Sequence, residues 1–245
     1  MTAYAYDPSF LDYTSRSNRA SAQAIVPLVQ RIVPIASVVD FGCARGSWLS
    51  TWQRAGVADI CGVDGDYVLR GGMEIDQQQF VPADLAQPVR LGRHFDLAQS
   101  LEVAEHVPAS SAAIFVDSLC SHAKVVLFSA APPGQGGEHH VNEQPYAYWR
   151  DLFKEQGFAV FDCVRPALRG RPEVQAWYRY NTFLYVHMTR VGELPADIAR
   201  TRIGDGQALA DISPPAYKLR KALVRRLPQA LALSLAKVKA RVAGK

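Results

Sequence analysis

The chain has 245 residues, a net charge of +4, and a composition that is 49% hydrophobic and 20% charged, which suits one sizeable α/β domain with an appendage and excludes a disordered or fibrous protein. No apolar run approaches the roughly 18–20 residues of a membrane-spanning helix; the first residues lack a secretory pattern; and Cys43, Cys61, Cys120 and Cys163 form neither a CxxC pair nor a disulfide framework, so a reducing cytoplasm is expected. The charge is lopsided: Ile212–Lys245 holds nine basic residues and no acid, leaving 1–211 at −5, so the overall basicity carries no argument for nucleic acid.

Ser15–Val33 reads as a helix, with Ala20, Ala24, Leu28 and Ile32 repeating every four residues. The apolar run Ser37–Phe41 enters a glycine-containing turn, Gly42–Gly46, and helical Ser47–Ala55 follows. Strand candidates come next at Asp59–Val63, ending in Asp64, at Gln79–Pro82, running into Asp84, and at Phe95–Ser100. Helical Ala109–His122 leads to the strongest apolar run, Val125–Ala131. A Pro/Gly-rich loop then precedes the helix Tyr146–Gln156, and the strands Phe158–Arg165 and Asn181–Met188 close the core. Strands alternating with helices predict a doubly wound, mostly parallel seven-stranded sheet, with one antiparallel edge strand because the last two strands lack an obvious crossover helix. Residues 1–190 are expected to form this domain and 191–245 a basic, helix-prone extension.

In such a sheet ligands bind beyond the C-terminal strand ends, beside the switch in strand order. The first strand offers Asp40, Gly42, Ala44 and Gly46 there. A dinucleotide site would need a glycine at position 47, where Ser47 stands. An acid followed by G-x-A-x-G instead suits a nucleoside with a short amino-acid tail. Asp40–Gly46 resembles the first motif of the class I S-adenosylmethionine-dependent methyltransferases, with Ala44 at the usual middle glycine. The resemblance runs over about Ser15–Met188. It implies a Rossmann-like methyltransferase fold, S-adenosylmethionine as cofactor, Asp64 on the ribose hydroxyls, and Asp84 with Leu85 near the adenine. Ser100 and Glu102 follow the fourth strand, and Glu102–Val107 matches an EVxEHV stretch of small-molecule methyltransferases.

Phe128–Phe158, with His140-x-Asn142, and the WYxxN segment Trp177–Asn181 are similar to a subgroup among glycan and natural-product O-methyltransferases, mycobacterial enzymes that methylate mannosides included. This implies a hydroxyl acceptor, favouring a sugar. Deprotonating a hydroxyl calls for a base, and a neutral imidazole suits that role. His140 is the first choice, oriented by Glu138 or Glu105, with His106 and His139 behind it. A divalent metal held by some of Glu102, Glu105, His106, Glu138, His139 and His140 is permitted by residue type, but no fixed spacing demands it, so it is not favoured. Tyr148, Trp149, Tyr178, Asn181 and Arg165 are candidate acceptor contacts, and Tyr13, Arg16 and Arg19 a candidate lid. Leu219, Leu223, Leu227, Leu231 and Leu235 make an apolar stripe in the tail that suits packing on the domain or peripheral contact with an anionic membrane. N-methylation of a small molecule and a non-catalytic nucleoside-binding adaptor are the rival readings.

Overall fold

Residues 8–227 are described by the computed structural model. Seven strands, β1 (Ser37–Phe41), β2 (Asp59–Asp64), β3 (Phe80–Pro82), β4 (Leu97–Leu101), β5 (Val125–Ser129), β6 (Phe158–Phe161) and β7 (Phe183–His187), form one sheet in the order β3-β2-β1-β4-β5-β7-β6. The helices are α1 (Pro8–Gln30), α2 (Ser47–Arg54), α3 (Ala112–His122), α4 (Tyr146–Glu155), α5 (Val164–Ala167), α6 (Ala176–Asn181), α7 (Ala196–Ala199) and α8 (Pro215–Val224). Both faces of the sheet are covered, which is why its central strands β1, β4, β5 and β7 are buried almost throughout rather than on alternate residues. In β1, Val38 joins the core under α1, α2, α5 and α6, built around Ile25, Trp52, Val164 and Tyr178. Its neighbours Val39 and Phe41 join the core under α3 and α4, with Phe115, Leu119, Trp149 and Phe153.

This is the doubly wound sheet that the sequence predicts, with one difference of placement. The antiparallel strand is β7, and it lies between β5 and β6 instead of at the edge. The connection explains it. After β6 the chain stays at the same end of the sheet through α5 and α6, and no helix carries it back, so the next strand has to run the other way. Phe183 therefore sits opposite Phe128, near the C-terminal end of β5. Asn181, expected to open the last strand, ends α6, and Arg165, expected in a strand, lies in α5. The first helix starts at Pro8 rather than Ser15.

Beyond residue 190, where the extension is expected to begin, the chain pairs with the sheet again at residues 201–203. Ile203 N donates to Val160 O at 3.0 Å and Asp162 N to Thr201 O at 3.0 Å, which shields part of the β6 edge. Helix α8 packs on the domain: Arg220 Nη1 donates to Gln135 O at 2.9 Å, and Lys221 pairs with Asp211 at 2.6 Å. Leu219 and Leu223 of the apolar stripe point outward, whereas Leu231 and Leu235 lie outside the described residues. Among the described residues no helix is long and apolar enough to cross a membrane.

Arg165 shows how α5 is held. Its guanidinium is buried, donates twice to Asp162 (2.8 and 2.7 Å) and also to the carbonyls of Tyr180 and Ala210, and stacks over the Phe183 ring. Arg165→Leu is expected to cost about 3 kcal/mol of stability in urea denaturation, because Asp162 and two carbonyls lose their partner. Wild-type stability with a weakened acceptor KM would return Arg165 to the acceptor-binding role that its residue type suggested.

Candidate active site

The strand order reverses between β1 and β4, so the C-terminal ends of β1, β2, β4 and β5 surround the expected ligand position. The turn after β1 needs left-handed backbone at Gly42 and Gly46 (both φ +84°), and Ala44, at φ +47°, adopts it as well. Asp64, at the end of β2, locks the turn. Its Oδ2 accepts the Ala44 N–H at 2.8 Å, and its Oδ1 accepts the Gly65 N–H and the Tyr67 hydroxyl, each at 2.7 Å. Burial raises the Asp64 carboxyl above its ordinary pKa, against these three hydrogen bonds. Burial also pushes Asp40 up to about 8; the Gln99 side chain beside it pulls the value down and Asp64 adds to the rise. Ser100 is buried at the end of β4 and its Oγ meets no hydrogen-bond partner. Asp84 is exposed after β3 and accepts the Ala86 N–H at 2.9 Å, with Leu85 half-buried beside it.

A second group gathers beyond β4 and β5. Glu102 leaves β4 with φ +58°. Its carboxylate accepts from Gln135 Nε2 at 2.5 Å and from Asn181 Nδ2 at 3.1 Å, and Asn181 in turn accepts the Tyr146 hydroxyl at 2.8 Å. Glu105 follows and is wholly buried, with neither carboxylate oxygen in a hydrogen bond. Burial and then the nearby Glu102 raise its pKa well above the ordinary carboxylate range. The loop 137–143 folds over this turn, since Val141 N and Asn142 N both donate to the Glu105 carbonyl, at 3.0 and 2.9 Å. His140 is thereby set against Glu105, its Nε2 at 4.0 Å from Oε1, and edge-on to the His106 ring. Burial lowers His106 to about 3. The residue that orients His140 is Glu143, whose Oε1 lies 2.7 Å from Nδ1. Sequence reasoning named Glu138 or Glu105 for that task; the three-residue spacing from His140 was the available signal. Hydrogen bonds from His140 and from the Gly134 and Gly136 amides hold Glu143 below its usual pKa, in spite of burial.

The other expected site residues do not all converge here. Trp149 is buried against Phe128, and Tyr148 lies half-buried, edge-on to Trp149. Tyr178 is buried beside Trp48 and donates to Asn18 Oδ1 at 2.8 Å. Asn181 donates to the Glu102 carboxylate. His139 supplies its carbonyl, 3.2 Å from His106 Nδ1, and has a left-handed backbone, φ +56°. Of the expected lid, Arg19 pairs with Glu74 at 3.1 Å, and Glu74 N donates to Arg45 O beside the glycine turn; the side chains of Tyr13 and Arg16 lie outside the described residues. A cavity of about 440 Å³ opens between α8 and the start of α4; Tyr146 lines it, but the acids and histidines of the cluster do not.

Residues 13–163 match a family described as a methyltransferase domain. DesVI from Streptomyces venezuelae is structurally similar, with 14% identity, a TM-score of 0.52, and 71% of this chain and 94% of that one covered. The sugar N-methyltransferase KedS8 from a Streptoalloteichus species gives 16% identity and a TM-score of 0.54, over 69% of this chain and 87% of that one. Magnesium protoporphyrin IX methyltransferase from Synechocystis, solved with bound S-adenosylmethionine, gives 20% and 0.52, over 71% and 80%. At such identities the likeness is one of fold. No curated protein matches the chain.

Asp40 has a consequence for stability. With its pKa raised to about 8 in the fold and near 3.9 when unfolded, the folded state holds the extra proton between those values, so stability falls as pH rises through that window. Asp40→Asn, which cannot ionise, is expected to melt higher than wild type at pH 8 without ligand and to show a flatter pH dependence. Identical melting curves for the two proteins from pH 5 to 8 would contradict a buried, reluctantly charged carboxylate at this position.

Proposed function

The chain belongs to the methyltransferase-domain family and is an S-adenosylmethionine-dependent methyltransferase, and from that premise we propose that it methylates a hydroxyl of a sugar-like small molecule held over the His106–His140 cluster. The observation that carries the reading is His140 fixed by Glu143 at 2.7 Å beside the buried Glu105. An amine acceptor can be bound neutral and has little use for such a group, whereas a hydroxyl has to lose a proton.

The residues at the β1 and β2 ends fit the cofactor. Asp64 Oδ2 accepts a single hydrogen bond from the protein and keeps capacity for a diol, which a carboxylate accepts well. Ser100 Oγ, buried and without a partner, suits a polar ligand at the β4 end. On this reading Asp40, Gly42, Ala44 and Gly46 receive the amino-acid end, Asp64 the ribose, and Asp84 with Leu85 the adenine. The cofactor supplies a methyl group on a sulfonium: the acceptor oxygen's lone pair forms the new C–O bond, the C–S bond breaks with its electrons going to sulfur, and the hydroxyl proton has to leave. With Glu143 accepting from Nδ1, Nε2 is left as the basic atom of the ring and takes the hydroxyl proton on this reading. Asn181 and Gln135 position Glu102 at the rim of the same space.

The family and fold agree equally with N-methylation, and KedS8 is described as a sugar N-methyltransferase. A non-catalytic adaptor is disfavoured by the presence of every expected acid at the strand ends. Asp64→Ala is expected to weaken S-adenosylhomocysteine binding in calorimetry by about 2 kcal/mol, the worth of hydrogen bonds to a charged group; equal affinity would take Asp64 off the ribose. His140→Ala should lower turnover of a hydroxyl acceptor about a hundredfold or more with S-adenosylhomocysteine affinity unchanged. Full turnover in that variant would favour the amine reading.

A further inference from the structure

We propose that Glu105, His106 and His140 bind a divalent transition-metal cation, which takes two neighbouring oxygens of the acceptor. The proposal deepens the hydroxyl reading and rests on it for the acceptor, but the cation site itself stands on geometry. One ligand atom from each of the three residues lies within 4.8 Å of the other two, with Glu105 Oε1 and His140 Nε2 4.0 Å apart. Bonds of about 2.1 Å to a shared cation need donors roughly 3 to 3.5 Å apart, so a modest closure completes the site.

Glu105 is the second observation. It is 0% exposed and neither oxygen has a hydrogen bond. The amides of Ala131 and of Glu105 itself favour its charged form, but burial and the nearby Glu102 outweigh them. A carboxyl buried this way is costly unless a partner satisfies it, and no side chain among the described residues hydrogen-bonds it.

The surroundings are those of metal-ligating imidazoles, whose second nitrogen is normally tied to a carboxylate or a carbonyl. His140 Nδ1 is tied to Glu143 and His106 Nδ1 to the His139 carbonyl, which makes Nε2 the ligating atom of each ring. Gly137 passes so close to His140 that a Cβ on it would collide with Nε2, so a larger residue there would push the ring out of its present position. Two imidazoles and one carboxylate favour the Mn²⁺–Zn²⁺ series over Mg²⁺ and Ca²⁺. Three protein ligands leave positions for a vicinal diol, the arrangement of a sugar ring. Bound to the cation, a hydroxyl becomes more acidic, keeps its O–H electron pair on oxygen and gives its proton to water. In the cation-loaded protein His140 is a ligand, and the proton that it would take in the metal-free reading goes to water instead.

The test uses the full chain stripped by chelator, titrated with Mn²⁺ by electron paramagnetic resonance and with Zn²⁺ by calorimetry, with S-adenosylhomocysteine binding measured in parallel. One cation per chain is expected in wild type. Glu105→Gln and His106→Ala should lose about a hundredfold in cation affinity and Glu143→Gln about tenfold, while each still binds S-adenosylhomocysteine as wild type does. Absence of saturable Mn²⁺ and Zn²⁺ binding in wild type would overturn the proposal, as would undiminished binding in both Glu105→Gln and His106→Ala. Should a variant fail to bind S-adenosylhomocysteine, Gly137→Ala replaces it, and retention of the cation there counts against the site. Loss of S-adenosylhomocysteine binding in wild type strikes at the cofactor assignment alone and leaves the cation result to be judged on its own titration.

Discussion

Glu102 leaves β4 in a left-handed backbone conformation that a glutamate adopts only at a cost of order 1 kcal/mol, and the arrangement of the site depends on that departure. The bend is held from three directions. Its N–H donates to the Ser129 carbonyl at 2.9 Å, at the end of β5, while its carboxylate is gripped by Gln135 from the following loop and by Asn181 from the end of α6. Because the chain turns there, Glu105 and His106 are delivered within the next four residues to the space that His140 enters from above. A regular continuation of β4 would have separated them by a strand's rise of about 3.3 Å per residue.

The positions where the fold accepts strain coincide with the strand ends. Among the described residues, the non-glycine positions with positive φ are Ala44, Glu102 and His139, one in the glycine turn and two around the histidine cluster. The buried carboxyls follow the same pattern: Asp40 and Glu105 are both raised in pKa chiefly by burial. Such features weaken the ligand-free protein and persist only where surrounding structure determines them fully. Here the surrounding structure is Asp64 clasping the turn, and the Glu105 carbonyl accepting two amides of the 137–143 loop.

What the sequence discloses follows from how local each signal is. The glycine turn and the acids Asp40, Asp64 and Glu102 were legible because a strand end fixes their position within one or two residues, whatever the rest of the chain does. The sheet was legible for the same reason, strand by strand, yet the insertion of β7 between β5 and β6 was not, since it depends on α5 and α6 keeping the chain at one end. Glu143 and Gln135 escaped notice because their partners are chosen by the fold of a Pro/Gly-rich loop. Trp149 and Tyr178 were assigned to the acceptor from residue type and the resemblance of their segments, and Arg165 from residue type. Each proves to face the interior, where an aromatic ring or a paired guanidinium serves equally well.

The two halves of the site are built on supports of different kinds. The β1–β2 half is held by strand ends and one carboxylate, so it tolerates little change. The histidine half hangs on the 132–143 loop, and that loop is backed by α8: a Cβ on Gly134 would strike the Lys221 carbonyl, and Arg220 and Arg225 donate to the carbonyls of Gln135 and Pro133. Glu143 links this backing to the chemistry, accepting the Gly134 and Gly136 amides at 2.7 and 2.6 Å with the same carboxylate that orients His140. A displacement of α8 thus reaches His140 through two residues and no strand. The turn after β1 does not lie on that route, so the two halves of the site are supported independently of one another.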